Sequence, residues 1–245
     1  MILLAQYGFC LYIAVLIIGL YLESRCFIVD EIQIRLIERT KQFVKQRLEN
    51  DFSGHDYSHA LRVNNMALFL AREECADMFI VSMAALLHDV DDRKIFTNTW
   101  KKKNVTHLYL ESIQLPMHSV NHILIIIDAI SFSGDGAKVP TTIEGKCVQD
   151  ADRLDALGAI GIARTFAYGG CFRRRIFDPN IVPRDNIDVD NYYNDESTTI
   201  NHFYEKLLKL KGLMNTETAY SIAEKRTIYM ENFLSEFYEE WFYNP

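Results

Sequence analysis

Residues 84–96 read AALLHDVDDRKIF, in which small and apolar side chains lead into His88, Asp89, Asp91 and Asp92. Carboxylates and imidazoles are costly to bury without partners, so the stretch either caps a helix toward water or offers ligands to a cation. Spacing bears on the choice. Val81, Ala84 and Ala85 precede His88 by seven, four and three residues, which puts His88 on the apolar side of its helix. His59 opens a second helix whose face continues through Val63, Met66 and Leu70. Asp152 opens a third, with Asp155, Ala156, Ala159 and Ala163 on its side. A lone histidine on an apolar face is most often a packed core residue. The dipeptides His55-Asp56 and His88-Asp89 say little singly. Two imidazoles and two carboxylates aimed from three apolar stripes, taken together, suit a divalent ion that keeps positions open to water.

The elements that must position these residues read as helical throughout. Residues 28–50 repeat apolar side chains at three and four spacing (Ile32, Leu36, Phe43, Val44, Leu48), with charge on the other face. Residues 50–58 form a polar loop containing Gly54, and helices follow over 59–74 and 77–90. Pro116 starts a further helix, a position where proline is at home. A glycine-rich loop over 133–145 precedes a helix over 146–168. Residues 169–196, rich in Asp, Asn, Arg and Pro, form a long loop that serves either as a lid or as plain surface. Helices over 199–212 and 216–241 close the chain. Alternating strand patterns are missing, so the fold class is all-α.

Composition narrows the function. Apolar residues at 49% with 24% charged residues describe a folded chain, and a net charge of −7 without a Lys/Arg stripe argues against nucleic acid as a partner. Five scattered cysteines with no C-x-x-C pair indicate reduced thiols. Residues 2–22 are uncharged, with Gln6 the one strongly polar side chain. As a helix they would span roughly 32 Å, close to the hydrocarbon thickness of a bilayer. Residues 1–25 are therefore expected to be a single-pass membrane anchor with the lipid bilayer as partner. Arg25, Arg35, Arg39 and Lys41 follow the span, which places the larger part on the cytoplasmic side.

The strings His59-x-x-Arg62-Val63, Leu86-Leu87-His88-Asp89-x-x-Asp92 and Asp150-Ala151-Asp152-Arg153-Leu154-Asp155-Ala156-Leu157-Gly158 resemble those of the HD-domain metal-dependent phosphohydrolases. The likeness is greatest to the bacterial and fungal subgroup that includes nucleotide pyrophosphohydrolases. It runs over residues 28–243 and takes in ISF at 130–132, NHFYEKLLKLKGLMNT at 201–216 and FLSEFYEEW at 233–241. The resemblance implies an HD-domain helical bundle over 28–243. It implies one divalent ion (Mn2+, Mg2+, Co2+, Ni2+ or Fe2+) on His59, His88, Asp89 and Asp152. Asp92 falls where the family often holds a catalytic carboxylate, frequently glutamate; Arg62 and Lys94 match phosphate-holding positions. The substrate implied is a small phosphorylated molecule of nucleotide type.

Around this set, His55, Asp56 and Asp155 are placed to orient the ligands. His118 and His122 stand four apart on one helix, a spacing able to bind a second metal. His122 continues into Ile125, Ile126 and Ala129, which favours packing. The expected activity is hydrolysis of a phosphate ester or anhydride by metal-activated water. The alternatives are a phosphodiesterase of the same fold and a non-catalytic metal-binding membrane scaffold. Four filled ligand places and Asp92 favour turnover.

Overall fold

A computed structural model describes residues 29–49, 54–91, 104–130, 138–184 and 197–243. Most of its helices start where the sequence supplies a cap. Asp30 and Gln33 form a reciprocal capping box at the start of α1, Glu31–Leu48. Asp56 caps α2, Tyr57–Glu73, and Asp77 caps α3, Met78–Leu87. After α4, Asn104–Ser112, and α5, Met117–Ile130, Thr142 caps α6, Ile143–Asp155. Then come α7, Gly158–Cys171, and α8, Thr199–Glu205. A 3₁₀ segment, Leu207–Leu213, leads to Thr216, which caps α9, Glu217–Phe242. Among the described residues there is no strand, as the all-α reading expects.

Helix α3 is the centre. It packs against α1, α2, α5 and α6, and every residue from Met78 to Leu87 is buried. A helix apolar all round can only be an interior one. α2 lies along both α3 and α6, so the ends of these three helices meet at one corner. Asp150 ties that layer to the last helix: its carboxylate accepts hydrogen bonds from the backbone and side chains of Asn215 and Thr216.

Two local readings change. Helix α4 is not evident in the periodicity; Asp91 helps define its start by accepting the Thr106 amide at 2.9 Å. The single helix expected over 146–168 is two, separated by Ala156 and Leu157. Gly158 takes φ +73°, a left-handed conformation costly for other residues. A side chain at Gly161 would put Cβ 2.2 Å from the Ala156 carbonyl oxygen, so the turn is tight.

The membrane expectation is corrected. Among the described residues no helix is long and apolar enough to cross a bilayer. The longest, α9, carries Glu224, Lys225, Arg226, Glu231, Glu236, Glu239 and Glu240 along its length. Residues 2–22, on which the anchor rested, lie outside the described residues, and neither the lipid partner nor the membrane scaffold has support.

Candidate metal centre

The corner where α2, α3 and α6 meet brings together His59, His88, Asp89 and Asp152. Asp56 accepts the amide of His59 at 2.8 Å, so the cap that starts α2 also fixes the backbone of His59. His88 follows directly on the end of α3 and keeps α-helical φ and ψ, which carries its ring out of the apolar interior to the corner. Asp152 lies near the end of α6, with its side chain 31% exposed, whereas His59 is fully buried.

Each imidazole has its tautomer fixed from behind. His88 Nδ1 lies 2.8 Å from the Ala85 carbonyl oxygen, which can only accept, so Nδ1 carries the proton. His59 Nδ1 likewise donates to Asp155 Oδ2 at 2.7 Å. The Nε2 atoms of both rings are buried and make no hydrogen bond. They converge on two carboxylate oxygens: His59 Nε2 is 3.3 Å from Asp89 Oδ2 and 3.5 Å from Asp152 Oδ1. His88 Nε2 is 3.4 Å and 3.7 Å from the same two atoms.

This donor set fits a divalent ion. Ligands about 2.1 Å from one ion at tetrahedral or octahedral angles stand roughly 3.0–3.4 Å apart, close to the separations seen. Two buried nitrogens lacking hydrogen bonds would each cost about 1–3 kcal/mol, and a cation would satisfy both. Electrostatics agree. Burial alone would raise the pKa of Asp89, yet the neighbouring His88 and His55 rings, with the hydrogen bond from His55 and the close approach of His59, hold it well below the usual carboxylate range. Burial works against a charge on His59, but its hydrogen bond to Asp155 and the adjacent Asp89 carboxylate raise its pKa above the ordinary 6.5.

The orienting residues lie behind the ligands. His55 Nδ1 is 2.8 Å from Asp89 Oδ2, and His55, His59 and Asp89 form a second group able to share a cation. Arg62 directs Nε and Nη2 onto Asp155 at 2.8 and 3.0 Å. Arg164, which sequence spacing did not single out, also reaches Asp155 at 2.9 Å and bonds the Gly54 carbonyl oxygen. Asp92 and Lys94 lie outside the described residues.

The other histidine pair joins no group of three potential ligands among the described residues. His118 is exposed, and His122 sits 3.3 Å from Thr142 and 3.6 Å from Glu144. In the loop after α7, Arg175 pairs with Asp178 at 2.6 Å and Arg174 lies over the Tyr168 ring; residues 185–196 lie outside the described residues.

Comparison with known proteins covers the segments that form this corner. A family model described as the HD domain matches residues 56–157, which contain all four converging side chains. The uncharacterized protein YpgQ of Bacillus subtilis (strain 168) is 36% identical over 206 residues, 83% of this chain and 93% of that protein. A crystal structure of an HD-superfamily hydrolase from Bacillus thuringiensis is 46% identical, with TM-score 0.66 over 85% of this chain and 98% of that one. The crystal structure of Bacillus subtilis YpgQ in complex with ADP is 31% identical, with TM-score 0.69 over 85% and 96%. These proteins are matched over nearly their whole length by a part of this chain.

Proposed function

Since the chain belongs to the HD-domain family of metal-dependent hydrolases, we propose that it cleaves a phosphate ester or anhydride of a nucleotide-like molecule, with residues 28–243 as the hydrolase unit. The observation that carries this reading is the convergence of two buried, unbonded Nε2 atoms with carboxylate oxygens of Asp89 and Asp152. His59, His88, Asp89 and Asp152 would hold one divalent ion. The mixed nitrogen and oxygen set suits Mn2+ or a neighbouring first-row ion better than Mg2+, which favours oxygen ligands. When bound, the ion lowers the pKa of water and polarises a phosphoryl oxygen.

The chain's own groups divide the remaining work. Asp152, the exposed ligand, marks the side from which water and substrate approach. Asp92 takes the proton of the attacking water. Lys94 binds a phosphate oxygen, and Arg62, with Nε and Nη2 on Asp155, offers Nη1 to another. A nucleotide is favoured as substrate because the similar protein YpgQ has been crystallised with ADP.

Metal analysis of the full chain, followed by assays of phosphate and pyrophosphate release across nucleoside mono-, di- and triphosphates, tests the reading. Wild-type protein is expected to hold about one ion per chain and to turn over at least one of these compounds. Asp89→Ala should lose both properties. Full metal content in folded Asp89→Ala would sink the ligand assignment.

A further inference from the structure

We propose that Asp155, clamped by Arg62 and Arg164, is a positioning residue that sets the metal affinity of His59, and that Arg164 thereby belongs to the site although it stands on α7. The inference rests on His59 being a metal ligand, as proposed above. Asp155 is almost fully buried, and both of its oxygens are engaged. Oδ1 accepts Arg62 Nε at 2.8 Å. Oδ2 accepts His59 Nδ1 at 2.7 Å, Arg164 Nη1 at 2.9 Å and Arg62 Nη2 at 3.0 Å. With its acceptor directions taken up in this way, the carboxylate is itself ill placed to ligate an ion. Its function lies in what it fixes.

That function follows from the geometry of the ring. A buried imidazole is free to rotate about the bond to its Cβ unless something grips Nδ1, and rotation would swing Nε2 away from Asp89 and Asp152. Asp155 grips Nδ1 and also dictates that the proton sits there, so the lone pair stays on Nε2. A grip is only as steady as its base. Arg62 comes from α2, one turn past His59, and Arg164 from α7, so the carboxylate at the end of α6 is held from two other helices. Arg164 also binds the Gly54 carbonyl through Nε at 2.9 Å, two residues before the Asp56 cap that fixes the backbone of His59. One guanidinium thus holds the ring support and the segment leading to the cap at a common distance.

Titration of the full chain with Mn2+ alone, by calorimetry and without substrate, tests the proposal; the visible spectrum of bound Co2+ reports ligand geometry independently. Asp155→Asn is expected to weaken Mn2+ binding about 10–100-fold and to alter the Co2+ bands. Arg164→Ala and Arg62→Ala should each weaken it about three- to tenfold, and Arg164→Lys, able to keep one of the two bonds, should recover part of the loss. Should Asp155→Asn not fold, the two arginine variants, at more exposed positions, carry the test. Wild-type Mn2+ affinity and an unchanged Co2+ spectrum in folded Asp155→Asn, or in both Arg→Ala variants, would overturn the proposal. His88→Ala separates this inference from the reading beneath it. If His88→Ala loses Mn2+ while the clamp variants bind normally, only the clamp is wrong; if His88→Ala also binds normally, the metal centre itself is wrong.

Discussion

Two pairs of histidines sit on apolar helices of this protein, and they end in different surroundings. His59 and His88 come from separate helices, lie 5.2 Å apart by ring centroid, and face two carboxylates across a buried corner. His118 and His122 share α5, yet His118 is exposed and His122 meets Thr142 and Glu144 at the start of α6. The local spacing of the second pair is the better metal motif. What the first pair has is a hydrogen-bond acceptor behind each ring and a carboxylate in front. Spacing brings ligands near one another; the atoms behind them decide which nitrogen is left to bind.

The comparison breaks most severely at Asp152. Asp152→Ala removes a ligand at a partly exposed position, so the variant should fold normally and lose turnover on the order of 10²–10³-fold. Unchanged kcat in a steady-state assay would remove Asp152 from the centre. Chelation gives the next effect. Saturating the first pair with an ion at about a hundred times its Kd should stabilise the fold by ~2.7 kcal/mol. For a domain of this size that is about 5–10 °C in Tm by calorimetry, lost on adding EDTA. Absence of any such shift would make the corner an ordinary polar cluster.

Proton competition sharpens the contrast further. His59 titrates above its ordinary 6.5, so in the metal-free protein its contribution to stability is complete below that pH and is lost as pH rises through the folded value. An ion must displace that proton. Apparent Mn2+ affinity should therefore climb about tenfold per pH unit below the raised value and level off above it, and a flat profile by calorimetry would contradict this. The smallest effect belongs to the other pair. The double variant His118→Ala/His122→Ala should keep its metal content and EDTA response, with stability changed by about 1 kcal/mol or less.

How much of this was legible without coordinates depends on the range over which each signal acts. The interior character of α3 is local, and it reads directly from the run of apolar residue types. The four converging residues were legible because His59, His88 and Asp152 were each read on an apolar stripe and because the combined strings resemble one family. Arg164 was not. Its partners are Asp155, across a turn, and Gly54, 110 residues away, and no periodicity records such a pairing. Helix α4 escaped notice because its first turn is set partly by Asp91, fifteen residues before the Thr106 amide that it accepts. The helix over 146–168 looked continuous since Ala156 and Ala159 extend its apolar face, while Gly158 ends it by adopting a conformation that side-chain patterns do not encode.

The joint between α6 and α7 can be read as a lever. Asp155 stands on one arm and Arg164 on the other, and the angle between the arms depends on two glycines. At Gly158 the backbone sits at φ +73°, and at Gly161 a single added carbon would strike the Ala156 carbonyl oxygen. A methyl group at Gly161 would touch none of the ligands, yet by opening the joint it would carry Arg164 away from Asp155 and loosen the ring of His59. Tolerance to mutation here should follow the leverage of a position on that angle, and distance from the ion would be a poor guide to it.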